Sequence, residues 1–97
     1  MITMQISMLV PAGTETVWEG LRREAHRAYP QQPGFLGARV LHDCDYPAQY
    51  VMQSDWETRA DADRAVRTVG MPWRTRGLGL DDHDIRVAYF ETIDPLA

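Results

Sequence analysis

Alternating apolar and polar residues predict four strands in this chain. Near the amino end, Met4, Ile6, Met8 and Val10 recur at every second position, which is typical of a strand with one buried face. Pro11 ends this run, since proline cannot donate a hydrogen bond to a strand ladder. The other predicted strands are residues 35–42, 50–56 and 84–93.

Apolar residues at helical spacing predict two helices between these strands. The first helix follows Thr14, the predicted N-cap, and stops at Pro30. The second opens at residues 58–61, which resemble a capping box, and ends before Gly70, the predicted C-cap. The apolar positions are 17, 18, 21, 25 and 28 in the first helix and 62, 65, 66 and 69 in the second.

The predicted element order is βαββαβ, in a single domain that spans residues 1–97. This order defines an α+β, ferredoxin-like fold: a four-stranded antiparallel sheet with both helices on one face. Gly37 predicts a bulge or a close backbone approach in the second strand. The helix-free face mixes apolar and polar residues, so we expect a second copy of the chain to cover it. The alternative is a monomer with one solvated face, which antiparallel sheets tolerate. Its predicted members are Gln5, Ser7, Leu9, Arg86, Ala88 and Phe90.

Composition argues against several classes of partner. All ten basic residues are arginine and the net charge is −4, so no basic block can neutralise a run of phosphates, and we expect no nucleic-acid partner. No segment approaches the roughly 20 apolar residues of a membrane span, so we expect no membrane partner. Cys44 is the only cysteine, and the amino end has neither a basic start nor a long apolar stretch. We therefore expect a cytoplasmic protein.

Two short clusters contain potential metal ligands but lack the spacing of a metal site. Residues 42–45 (His-Asp-Cys-Asp) end the second strand, and residues 81–84 (Asp-Asp-His-Asp) precede the last. Neither matches a structural zinc set or a calcium loop, so we predict a turn, a solvated loop and no metal. His26, beside Ala25 on the first helix, is predicted to face solvent.

Several segments together resemble one known family. They are the opening strand at residues 6–11, the helix with Trp18 and Leu21, residues 32–37 leading into the second strand, and Asp55-Trp56-Glu57 before an alanine-rich helix. Over nearly the whole chain, this pattern is similar to the antibiotic biosynthesis monooxygenase family. The resemblance implies a homodimer whose sheets form a dimeric α+β barrel. It also implies oxidation of anthrone-type aromatic polyketides to quinones by molecular oxygen, without a cofactor.

The resemblance further implies roles for particular residues. Trp56 matches a tryptophan that faces the pocket, and Arg76, or its neighbour Arg74, matches a downstream arginine. Met52 stands where the cofactor-free members have an asparagine, so a hydrogen bond that would hold substrate or stabilise enolate charge is lost. Heme-degrading relatives need a histidine in the helix at residues 59–69, which has none, so heme degradation is disfavoured.

The residue types in this sequence could also form an apolar substrate pocket. Oxygenation without a cofactor requires an apolar, water-excluding cavity with a few placed donors or cations. Arg74 or Arg76 would offset enolate charge, and Tyr50 or Tyr89 would donate a hydrogen bond. Aromatic and thioether side chains suit a flat ligand, although at this spacing they more often belong to an ordinary core. The predicted small-molecule pocket is lined by Met8, Trp18, Met52, Trp56, Met71 and Trp73.

Three classes of function fit the sequence. The first is a monooxygenase that acts on an aromatic, polyketide-type substrate with no cofactor. The second is a cyclase or isomerase that folds a similar substrate without oxygen, which Met52 in place of asparagine would suit. The third is a non-catalytic, dimeric ligand-binding protein. Oxygen consumption separates the first class from the other two.

Overall fold

The structure, a computed structural model, describes residues 1–69 and 85–96. It confirms the predicted element order, with small differences at the strand ends. Gly70, the predicted C-cap, and residues 71–84 lie outside the described residues. The elements are β1 (Ile2–Leu9), α1 (Glu15–Ala28), a 3₁₀ turn (Tyr29–Gln31), β2 (Phe35–His42), β3 (Gln49–Trp56), α2 (Arg59–Val69) and β4 (Ile85–Glu91).

The four strands form one antiparallel sheet in the order β2-β3-β1-β4. β1 is central: Ile6 lies opposite Met52 of β3 and Val87 of β4. β2 and β4 are the edges. This is the predicted ferredoxin-like α+β fold, because the two inner strands are joined to the edges through the two helical crossovers.

Both helices pack on the face of the sheet that carries the even-numbered residues of β1. Met4, Ile6 and Met8 of β1 are buried there, because successive side chains of a strand point to opposite faces. Neither described helix is long and apolar enough to cross a membrane. The other buried apolar residues are Val10, Trp18, Leu21, Ala25, Tyr29, Met52, Trp56, Ala62, Ala65 and Ile85.

The two helices begin differently. At α2, the Asp61 backbone N–H donates to the Thr58 hydroxyl over 3.1 Å, which is half of the predicted capping box. The Asp61 carboxylate pairs with Arg64. At α1, Thr14 occupies the N-cap position, but its side chain does not cap the helix. Its hydroxyl instead donates to the Pro11 carbonyl over 2.6 Å, so the cap predicted at Thr14 is only positional.

Two glycines shape the entry to β2. The register between β2 and β3 shifts between Phe35 and Gly37, which confirms the predicted bulge. Gly34 has a φ of +83°, and a Cβ atom there would overlap the Asp61 carboxylate of α2. Its carbonyl also accepts the Glu57 N–H over 2.9 Å. Gly34 therefore permits the close approach between the start of β2 and the start of α2.

The helix-free face is mixed, as predicted. Arg39 Nε donates to Gln53 Oε1 over 2.8 Å, and Gln53 Nε2 donates to Gln5 Oε1 over 3.0 Å, so polar side chains link three strands. Apolar side chains on the same face remain exposed, with Leu9 at 44% and Phe90 at 51%. This face is therefore neither a closed core nor a uniformly polar surface.

Candidate functional site

A cavity of about 490 Å³ lies between α1, the 3₁₀ turn and the β2–β3 side of the sheet. Its volume is in the range of small-molecule binding sites. Most of its lining is apolar or aromatic, and three residues of the lining carry cationic or imidazole groups. The lining residues are Met8, Trp18, Arg22, Ala25, His26, Tyr29, Pro30, Phe35, Ala38, Arg39, Val40 and Met52.

Helical and strand spacing bring these residues together. Trp18, Arg22 and Ala25 are three or four residues apart, so they share one side of α1. In the sheet, Ala38 lies opposite Ser54 and Val40 lies opposite Met52, on the face that the helices cover. Val40 is nevertheless 40% exposed, because β2 is an edge strand. The cavity occupies this space beside α1.

Trp18 forms the aromatic wall of the cavity. It is 2% exposed, and its ring lies 4.9 Å from that of Tyr50. Tyr50 in turn stacks on His42 at 4.3 Å, and a ring nitrogen of His42 lies 2.7 Å from the Pro47 carbonyl oxygen. Tyr50 therefore supports Trp18 from behind and does not line the cavity.

Trp56 lies deeper than the cavity wall. It is completely buried, and its indole N–H donates to the Ser54 hydroxyl over 2.8 Å. Its ring meets Phe35 edge-on at 5.4 Å and Tyr29 at 6.2 Å. Phe35 and Tyr29 line the cavity, whereas Trp56 does not. In the described structure, Trp56 therefore positions two wall residues and is not part of the wall.

Tyr29 contributes a buried phenol at the end of α1. It is 2% exposed, and its hydroxyl has no hydrogen-bond partner within the described residues. Burial, with a smaller effect from Tyr89, raises the pKa of Tyr29 to about 12. The phenol therefore stays protonated near neutral pH and cannot serve as a base.

Tyr89 lies outside the cavity, on β4. The Arg59 guanidinium lies 4.3 Å above its ring, which joins the start of α2 to the edge of the sheet. Burial is the main cause that raises the pKa of Tyr89 to about 12, and Asp63 adds to it. Tyr89 is thus part of the contact between α2 and β4.

The structure brings together three of the predicted site residues: Met8, Trp18 and Met52 all line the cavity. Tyr50, Trp56 and Tyr89 lie elsewhere, as described above. Met71, Trp73, Arg74 and Arg76 are outside the described residues, so their roles stay predictions.

Sequence reasoning missed several cavity residues. Tyr29 begins the 3₁₀ turn, where the helical periodicity of α1 ends. Phe35 is the first residue of β2, and strand periodicity alone does not show that it borders a cavity. Arg22 and His26 had a usable signal, because they follow Trp18 at intervals of four along α1. His26 is exposed, as predicted, yet it borders the cavity.

The cluster at residues 42–45 forms a turn, as predicted. The Asp43 carboxylate accepts the backbone N–H groups of Asp45 and Tyr46 at 2.8 and 3.0 Å, and these bonds lower the pKa of Asp43. No group of three potential metal ligands occurs within residues 1–69 and 85–96.

Comparison with known proteins identifies the relatives of this chain. The family model described as antibiotic biosynthesis monooxygenase matches residues 1–71. No curated protein matches the sequence. Among solved structures, the chain is similar to SnoaB, a cofactor-independent oxygenase from Streptomyces nogalater, with 22% identity and a TM-score of 0.78 over 98% of this chain and 95% of that one. Rv0793 from Mycobacterium tuberculosis shares 10% identity and a TM-score of 0.81 over 99% and 98% of the two chains. At sequence identities this low, the similarity to these solved structures shows a shared fold and nothing further.

Proposed function

Because the chain belongs to the antibiotic biosynthesis monooxygenase family, we propose that it oxidises an aromatic, polyketide-type substrate with molecular oxygen and without a cofactor. The substrate is anthrone-like: a flat polycycle with a reactive methylene group. The apolar cavity beside α1 is the observation that carries this proposal. The similarity to SnoaB, described as a cofactor-independent oxygenase, supports the absence of a cofactor.

The main requirement that this reaction places on the protein is a cavity that holds the substrate and excludes water. The methylene group loses a proton, the carbanion reacts with oxygen, and a quinone carbonyl forms as the second oxygen atom leaves in water. An apolar cavity favours these steps by holding the substrate and excluding water. Met8, Trp18 and Met52 hold the rings by stacking and dispersion contacts.

Residues outside the cavity have supporting roles in this proposal. Trp56 positions Phe35 and Tyr29 through edge contacts, and Tyr50 supports Trp18. Arg76 or Arg74 offsets enolate charge and Trp73 contacts substrate, as the sequence predicts. Tyr89 is not among the residues that line the cavity, and its ring contacts Arg59, so we assign it to the α2–β4 contact.

The protein acts, in this proposal, as a cytoplasmic homodimer. Exposed apolar side chains on the helix-free face support pairing with a second copy, notably Leu41 at 41% and Phe90 at 51% exposed. The hydrogen-bonded side chains of Arg39, Gln53 and Gln5 provide polar groups to which the same face of a second copy can form hydrogen bonds. The cavity lies on the opposite face of the sheet, so pairing leaves it accessible.

Oxygen uptake with an anthrone tests the proposed function. The metal-stripped protein, kept in chelator, should consume oxygen and form the quinone faster than the uncatalysed reaction. Ala38→Leu, which adds bulk to the cavity wall, should abolish this activity. Ala60→Leu, at an exposed position of α2, is the matched control and should keep it.

The same experiment distinguishes the alternative functions. No oxygen uptake above background contradicts the oxygenase. In that case, a rearranged product with the mass of the substrate identifies a cyclase or isomerase, and unchanged substrate that still binds identifies a ligand-binding protein.

A further inference from the structure

Two polar side chains interrupt the apolar lining of the cavity from the same side. Arg22 and His26 lie one turn apart on α1, beyond Trp18. No carboxylate belongs to the described lining. Within the described lining, this polar edge is therefore supplied by α1 and contains a guanidinium and an imidazole but no carboxylate.

Arg39 also borders the cavity, but its side chain lies on the helix-free face of the sheet. Arg39 lies opposite Gln53, on the helix-free face, and its Nε donates to Gln53 Oε1 over 2.8 Å. Its side chain is therefore committed to the other face of the sheet. Among the described lining residues, Arg22 and His26 remain as the cationic and imidazole groups that a ligand in the cavity would meet.

Arg22 keeps donors free for a ligand. Its Nε and one Nη2 N–H donate to the two Glu19 carboxylate oxygens, at 3.3 and 2.8 Å. A guanidinium has five N–H donors, so three remain. The pair is half-exposed, with side-chain exposures of 34% for Arg22 and 46% for Glu19, and exposed pairs of this kind are weak. Glu19 orients the guanidinium without occupying all of it.

We propose that the substrate carries a carboxylate, which Arg22 and His26 bind at the edge of the cavity while the flat apolar body lies against Trp18, Met8 and Met52. This inference rests on the proposed function and adds a charged group to its substrate class. A guanidinium fork matches the two oxygens of a carboxylate, and an imidazole N–H adds a third donor. The carboxylate fixes which end of the substrate enters the cavity.

Matched ligands test the inference directly. Anthraquinone-2-carboxylate and anthraquinone-2-carboxamide are flat and differ in charge, and neither has a methylene group to oxidise. In calorimetric titrations of the wild-type protein, the carboxylate should bind about tenfold more tightly than the amide, the ratio expected for one charge-assisted hydrogen-bonded contact. Arg22→Gln should remove this preference and leave amide binding intact, and His26→Gln should reduce it.

Arg27→Gln is the matched control. Arg27 lies on the same helix, is exposed and does not line the cavity, so this variant loses the same charge and should keep the preference for the carboxylate. If Arg22→Gln and Arg27→Gln lower the preference for the carboxylate equally, the preference comes from the overall charge of α1, and the inference is overturned.

The wild-type titrations separate failure of this inference from failure of the proposed function. Equal affinities for carboxylate and amide overturn the carboxylate site and leave an aromatic-binding cavity in place. Binding of neither ligand overturns both. Because this comparison uses the unaltered protein, it stands even if a variant at Arg22 fails to fold.

Discussion

The two helices cover the same face of the sheet but produce different environments. α2 buries two alanines, Ala62 and Ala65, which are 0% and 1% exposed and let the helix lie close to the sheet. α1 buries the larger Trp18 and Leu21, and an open cavity remains beside it, over the edge strand β2. Both helices are amphipathic. The size of the buried side chains and the position of the edge strand therefore decide which helix packs closely and which one borders a binding site.

The largest expected effect comes from removing Trp56, whose neighbours form the cavity wall. Trp56→Ala should destabilise the protein by about 3–5 kcal/mol, as for other buried aromatic residues, and should weaken ligand binding because Phe35 and Tyr29 lose their support. Urea unfolding measures the change. Trp56→Phe, which keeps most of the volume, is the control and should lose less. A loss under about 1 kcal/mol for Trp56→Ala would be incompatible with the burial described.

Replacing one alanine under α2 and one alanine of the cavity wall by leucine tests the difference in packing between the two regions. Ala65→Leu should cost about 1–3 kcal/mol, because α2 has no space for three more carbon atoms. Ala38→Leu points into the cavity from an exposed position, so its stability should stay within about 0.5 kcal/mol of wild type while ligand binding is lost. Thermal or urea unfolding with parallel ligand titrations checks both. If the two substitutions destabilise the protein equally, the contrast between close packing under α2 and an open cavity beside α1 is wrong.

The helix starts give a smaller contrast. Thr58→Ala should destabilise by about 1 kcal/mol, because its hydroxyl accepts the Asp61 backbone N–H at the start of α2. Thr14→Ala should cost less, since the Thr14 hydroxyl does not cap α1 and bonds only to the exposed Pro11 carbonyl. Urea midpoints of the two variants measure the difference. The reverse order would show that the caps are assigned wrongly.

The smallest expected effect at neutral pH is that of Tyr29→Phe. The Tyr29 hydroxyl is buried without a partner among the described residues, so its removal should leave stability unchanged or raise it by up to about 1 kcal/mol. Unfolding at pH 7 measures this change. A clear loss of stability would show that the hydroxyl is bonded in solution.

The same variant has a larger effect in alkali. The pKa of Tyr29 is about 12 in the folded protein, against an ordinary value of 10.0. A raised folded pKa contributes stability that is fully present below pH 10 and is lost as the pH rises toward 12, because the unfolded state then releases its proton first. Tyr29→Phe should therefore lose stability less steeply between pH 10 and 12. Tyr89 has a raised pKa as well, so part of the decline remains.

The fold was predictable from the sequence because its signals are local. The alternation in β1 and the spacing of Trp18, Leu21 and Ala25 in α1 each give one face of one element, and Gly37 marks the bulge. The N-cap chemistry of Thr14 was not predictable, because the same hydroxyl can bond either to the helix or to the preceding turn.

The site was only partly predictable. Met8, Trp18 and Met52 follow from periodicity and share the cavity. Trp56 lies on the same face of the sheet, but its distance along β3 places it beneath Tyr29 and Phe35, which periodicity cannot show. Arg22 and His26 follow Trp18 at helical spacing, but only the position of α1 beside an edge strand shows that this side of the helix borders a cavity.

The most direct test of a ligand-binding cavity beside α1 is methyl NMR of protein labelled with [methyl-13C]methionine, titrated with anthraquinone-2-carboxylate. Met8 and Met52 line the cavity, Met4 is buried elsewhere in the core and Met1 is exposed, so these four of the five methionines report on separate environments. Single Met→Leu variants assign the signals. We expect the Met8 and Met52 methyl signals to shift on binding while those of Met1 and Met4 stay in place. Saturable binding that leaves Met8 and Met52 unchanged would contradict this location for the site.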